Sequence, residues 1–162
     1  PIPVMRSDEG FLMLFGKPDA RQLDTALRGI MQPYPSGLIT PAGMLVANSA
    51  LATPDRHAKF DKTRYHGEVV WSWQQGMMAA GLARQLARSD LSPESRELLT
   101  SAQKTLARAI GMTQGIRSSE LWSWTYEGSR YSVSPFGQNV GDETESNALQ
   151  LWSTIGLAAP CS

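Results

Sequence analysis

Residues 65–75 read Tyr65-His66-Gly67-Glu68-Val69-Val70-Trp71-Ser72-Trp73-Gln74-Gln75, and they run directly into an apolar segment that continues to about Arg88. Three aromatics, an imidazole, a carboxylate and two amides gather around one glycine, just ahead of a helix. Polar and aromatic groups at a loop-to-helix junction point to a ligand site on a rigid scaffold. The segment itself is small or apolar on most sides (Met77, Met78, Ala79, Ala80, Leu82, Ala83, Leu86, Ala87), with a polar strip at Arg84, Gln85 and Arg88. A helix apolar on most sides is buried on most sides.

Moving outward, the next helix is one-sided. Ser92 is placed to cap it, Pro93 to occupy its first position, and Leu98, Leu99, Ala102, Leu106 and Ala109 or Ile110 form its stripe. On the other side, Ser7-Asp8-Glu9-Gly10 introduces Phe11-Leu12-Met13-Leu14-Phe15, read as a short helix. Pro18 is expected to open a further, outer helix with Leu23, Ala26, Leu27 and Ile30 inward. Residues 33–67 hold Pro33, Pro35, Pro41 and Pro54 and no sustained period, so they read as a long loop, with Met44–Ala47 a local strand or anchoring contact. After the second helix, residues 118–127 read as a strand or extended turn returning through Gly128-Ser129. A final helix is expected to begin near Ser146 and end at Pro160.

The chain has 162 residues, enough for one domain with a sizeable core, and a formal net charge of zero. A balanced charge argues against nucleic acid as a partner, and no apolar run approaches membrane-spanning length. The opening Pro1-Ile2-Pro3 reads as a processed, excised or truncated beginning. The lone Cys161 cannot form an internal bridge and leaves the compartment open. His57 has no second ligand at metal-binding spacing. No metal or cofactor is implied. Four of the five tryptophans fall in two W-x-W pairs, Trp71/Trp73 and Trp122/Trp124. Indole faces fill cores, and they also stack on the C–H faces of sugar rings.

Tyr65-His66-Gly67, Val70-Trp71 and Trp73 resemble a segment found late in the catalytic domain of six-hairpin glycosidases, in their glycogen-debranching-like and glucosidase-like part. Many relatives carry an arginine near this glycine, where His66 and Glu68 stand here. A second landmark, Ser119-Glu120-Leu121-Trp122 followed by Asn147-Ala148-Leu149-Gln150-Leu151-Trp152-Ser153, is similar to the C-terminal signature of the same group. The resemblance implies an all-α fold, a partial (α/α)6 toroid with long loops and a small β-hairpin. Residues 1–162 would be the C-terminal part of that catalytic domain.

It further implies an inverting O-glycoside hydrolase acting on α-glucosidic or related neutral oligosaccharides. Glu120 would be the general base. Trp71, Trp73 and Trp122 would stack on sugar, while Tyr65, His66, Gln74 and Gln75 would hydrogen-bond its hydroxyls. Glu68 and Glu127 are the alternative carboxylates. Inversion needs a second carboxyl group across the scissile bond. No candidate acid occurs here, so the chain would need an N-terminal portion of the same enzyme, or another subunit, to be active. The rival reading is a non-catalytic helical carbohydrate-binding or protein-interaction module.

Overall fold

A computed structural model of the chain describes residues 3–116 and 118–137. In chain order it contains β1 (Met5–Arg6), α1 (Glu9–Phe15), α2 (Ala20–Ile30), β2 (Ile39–Thr40), β3 (Gly43–Met44), β4 (Ala47–Asn48) and α3 (Pro54–His57). There follow β5 (Val70–Trp71), α4 (Ser72–Leu86), α5 (Pro93–Met112), a 3-10 turn, β6 (Leu121–Glu127) and β7 (Arg130–Pro135). Five helices thus share the described residues with three small antiparallel sheets, β1–β4, β2–β3 and β5–β6–β7. This mixed α/β arrangement overturns the expected all-α toroid. The expected last helix, from Ser146 onward, lies outside the described residues.

The central element is α4. It buries nine of its fifteen residues, against three of eleven in α2 and six of twenty in α5. Three of the buried residues are glutamines, and each is tied to backbone. Gln75 Oε1 accepts the Met44 N–H at 3.0 Å, Gln74 Nε2 donates to the Ser7 carbonyl at 3.0 Å, and Gln85 Nε2 donates to the Met13 carbonyl. Gln85, read as part of the polar strip, is 1% exposed. It closes the free carbonyl end of α1, which a short helix otherwise leaves unsatisfied.

Local chemistry explains the helix starts. Ser92 caps α5 by accepting the Ser95 N–H at 3.2 Å, with Pro93 in the first turn. For α2 the start falls at Asp19, not Pro18. Asp19 accepts the Gln22 N–H at 2.8 Å, and the Gln22 side chain accepts the Asp19 N–H at 3.1 Å. That reciprocal capping box sets the boundary more firmly than the missing N–H of a proline.

The segment expected as a long surface loop is part of the core. Leu38, Met44 and Leu45 are fully buried, packed with Leu27, Met78, Leu82, Leu99, Leu106, Trp122 and Trp124. Two-residue strands make this possible by pairing Ile39 with Met44 and Thr40 with Gly43, so buried peptide groups keep partners. The β6–β7 hairpin turns on Gly128 and Ser129, both at positive φ (53° and 64°), as a tight two-residue turn requires. No helix among the described residues is long and apolar enough to cross a membrane.

Candidate functional site

The aromatic cleft is built on three backbone segments laid side by side. Ser7 N–H donates to the Val46 carbonyl at 3.1 Å, Val46 N–H to the Val69 carbonyl at 2.8 Å, and Ala47 N–H to the Gly67 carbonyl at 3.1 Å. Residues 46–47 therefore bridge the N-terminal segment and the 65–71 segment. Gly67 is needed for closeness, because a Cβ there would lie 2.2 Å from the Asp61 carbonyl oxygen.

The result is a hollow of about 300 Å³ lined by Arg6, Asp8, Phe11, Val46, His66, Trp71, Trp73 and Gln74. Trp71 and Trp73 stack at 5.2 Å between ring centroids, and Phe11 meets Trp73 edge-on at 5.9 Å. Trp71 is the backing plate: it is 8% exposed, and its indole N–H donates to the Tyr65 carbonyl at 3.1 Å. Trp73 is the more open ring. His66 packs against Trp71 at 5.0 Å, and Arg6 extends over Phe60 at 5.3 Å.

Gln74 forms part of the lining. Its amide orientation is fixed, since Nε2 donates to both the carbonyl and the hydroxyl of Ser7; a flipped amide would set oxygen against oxygen. Its Oε1 is buried and has no hydrogen-bond partner among the described residues. An unmet buried acceptor costs about 1–3 kcal/mol.

Of the residues singled out from sequence, the cleft brings together His66, Trp71, Trp73 and Gln74, with Tyr65 packed behind them at 4.9 Å from Trp71. It does not gather the others. Trp122 is fully buried in the core, where its indole N–H donates to the Ala42 carbonyl at 2.7 Å. Gln75 serves the backbone of Met44. Glu120 is 3% exposed and does not line the cleft; its carboxylate accepts the Tyr65 hydroxyl at 2.9 Å. Its carbonyl accepts both the N–H and the hydroxyl of Ser72, tying the start of α4 to β6. Glu127 ends β6 opposite Arg130, across the exposed turn.

Glu68 is the centre of a second polar cluster. Its Oε1 accepts the N–H and the hydroxyl of Ser49, both at 3.0 Å, and its Oε2 accepts the Tyr34 hydroxyl at 3.3 Å. His57 Nδ1 lies 2.8 Å from Ser49 Oγ and 3.6 Å from Glu68. Serine, histidine and glutamate together invite comparison with a nucleophilic triad, but the connectivity differs. The carboxylate binds the serine directly instead of orienting the far side of the imidazole, and Ser49 is fully buried. The cluster ties loops together.

Burial, then the charge of Glu68 and the hydrogen bond to it, push the Tyr34 hydroxyl up to about 12. A phenol in the unfolded chain titrates near pH 10. The folded value is the higher one, so this stabilisation is fully present below about pH 10 and is lost as pH rises toward 12. Urea midpoints measured across that window should fall for the parent protein and fall less steeply for Tyr34→Phe. Equal slopes would show that Tyr34 does not hold its proton for Glu68.

Sequence reasoning missed Arg6, Asp8, Phe11 and Val46. Only the Phe11–Phe15 run carried a signal: with Gly10 and Met13 facing inward, Phe11 (41% exposed) and Phe15 (70%) turn outward. Among the described residues no group of three or more His, Cys, Asp or Glu side chains could hold a metal ion.

Comparison with protein-family models, curated proteins and solved structures finds no match. The resemblance to six-hairpin glycosidases is therefore corrected on two grounds: no family model supports it, and the fold is mixed α/β. With the toroid goes the basis for a glycoside hydrolase, and for an enzyme assignment resting on that fold. The helical form of the rival module is corrected by the same three sheets.

Proposed function

We propose that this chain is a ligand-binding domain whose aromatic cleft takes a neutral saccharide ring. The observation that carries the reading is the Trp73 ring, backed by Trp71 and flanked by Phe11, in a hollow rimmed by Arg6, Asp8 and His66. A sugar presents an apolar C–H face to such a platform and hydroxyls to such a rim. Its hydroxyls both donate and accept, so they suit a rim that mixes the Asp8 carboxylate with the Arg6 guanidinium. No bond-breaking step is part of this reading.

Titration calorimetry with methyl glucoside, maltose and cellobiose tests it. At least one should bind with a millimolar or tighter constant, and Trp73→Ala should weaken that binding by about tenfold or more, the equivalent of about 1.4 kcal/mol. The variant should keep the parent far-ultraviolet circular dichroism. Absence of binding to all three sugars, or binding that Trp73→Ala leaves unchanged, would overturn the proposal.

A further inference from the structure

A second aromatic hollow lies on the other end of β6. It has a volume of about 420 Å³ and is lined by Tyr34, Pro35, Lys62, Trp124, Tyr126 and Tyr131. The Lys62 ammonium stands 3.8 Å from the centre of the Trp124 ring, within cation–π range. Its backbone is pinned, because Ser123 Oγ donates to the Lys62 carbonyl at 3.0 Å. Trp124 in turn is 2% exposed, with its indole N–H donating to the Glu68 carbonyl at 2.8 Å. The cation is thus held on a fixed platform.

The remaining lining has a matching character. Tyr126 and Tyr131 pack at 4.7 Å, and Tyr131 packs on Trp124 at 5.4 Å. Tyr126 is 54% exposed and offers an open ring face. The Tyr34 proton is committed to Glu68, whereas no described group receives a hydrogen bond from Tyr126 or Tyr131. Among the described residues, no carboxylate lines the hollow and none pairs with Lys62. A cationic ligand would meet the ammonium already seated on the indole, so an aromatic cage for methylated amines is excluded by charge.

We propose that this hollow binds a sugar ring bearing a carboxylate, a uronate, with the carboxylate on Lys62 and the ring against Tyr126 and Tyr131. The carboxylate follows from Lys62 and the two phenol donors. That its carrier is a sugar rests on the saccharide reading of the first cleft. The two hollows are separately testable because they share no lining residue.

The experiment is titration calorimetry of the full chain with methyl glucuronide, methyl glucoside and acetate, repeated on Lys62→Gln, Tyr126→Ala and Trp73→Ala. Methyl glucuronide should bind the parent and Trp73→Ala alike, and bind Lys62→Gln about tenfold or more weakly, as loss of a charged hydrogen bond implies. Tyr126→Ala, at an exposed position that leaves the fold in place, should weaken it as well. Acetate should bind far more weakly than the glucuronide. Failure of the parent to bind methyl glucuronide, or indifference to Lys62→Gln, overturns the proposal. Acetate binding as tightly as the glucuronide would reduce the site to a simple anion site and overturn it too. If methyl glucoside, maltose and cellobiose all fail to bind while the glucuronide binds through Lys62, the first cleft's reading falls and this one stands.

Discussion

Replacing Glu68 with alanine is expected to destabilise the fold by at least about 3 kcal/mol, because several buried donors lose their acceptor at once. Glu68 is 1% exposed and receives the Ser49 N–H, the Ser49 hydroxyl and the Tyr34 hydroxyl. Ser49 is itself fully buried, so its N–H and hydroxyl would be left away from bulk water. Glu68→Gln is the informative control. Its amide oxygen can keep both bonds from Ser49, and its amide nitrogen can face the Tyr34 oxygen as a donor, so the loss should be about 1 kcal/mol. Urea unfolding of the parent and both variants measures this. If alanine cost no more than glutamine, Glu68 would be a bystander and the Ser49–His57–Tyr34 cluster would be held by something else.

That cluster also shows why the fold was only partly legible. The helices could be read because their signals are local: Ser92-Pro93 starts α5, and the all-round apolar character of residues 72–86 foretells the burial of α4. The hairpin at Gly128-Ser129 was readable for the same reason. What misled was the stretch from Pro33 to Asn48. Its prolines and glycines describe turns correctly, but strands of two residues have no alternation to detect. Their burial depends on partners far along the chain, Arg6 beside Ala47 and Val46 beside Val69. Short strands joined by long-range pairing therefore looked like a surface loop, and the remaining helices looked like part of a toroid.

The candidate site divides along the same line. His66, Trp71, Trp73 and Gln74 fall within nine residues, so their concentration was visible in one dimension. Arg6, Asp8 and Phe11 reach the cleft only because β1 pairs with β4, and because Gln74 Nε2 donates to the Ser7 carbonyl. Neither contact leaves a trace in local composition. The two W-x-W pairs look alike in sequence, yet the structure gives them different surroundings. Alternation along a strand would set Trp122 and Trp124 on one face, and in β6 that face is the core. Trp71 ends β5 and Trp73 lies in the first turn of α4, where the chain leaves the sheet and one ring can stay open.

The difference between the pairs sets the second large effect. Trp122→Ala is expected to cost about 3–5 kcal/mol, the range for truncating a fully buried large aromatic side chain. Trp122 has no measurable exposure, and its indole N–H is the partner of the Ala42 carbonyl, at 2.7 Å, in the loop between β2 and β3. Truncation would leave a cavity between β6 and that hairpin and strand the carbonyl as well. Trp122→Phe fills most of the space but cannot donate, so it should lie between alanine and the parent. Trp73→Ala should cost much less, because its ring is only partly buried at the cleft. Denaturant unfolding of the three variants at neutral pH gives the ranking directly. A domain of this size has about 5–15 kcal/mol in total, so Trp122→Ala could leave little folded protein, and Trp122→Phe keeps the comparison measurable. If Trp122 were instead a ligand-stacking surface residue, both of its variants would unfold close to the parent midpoint, and its placement in the core would be wrong.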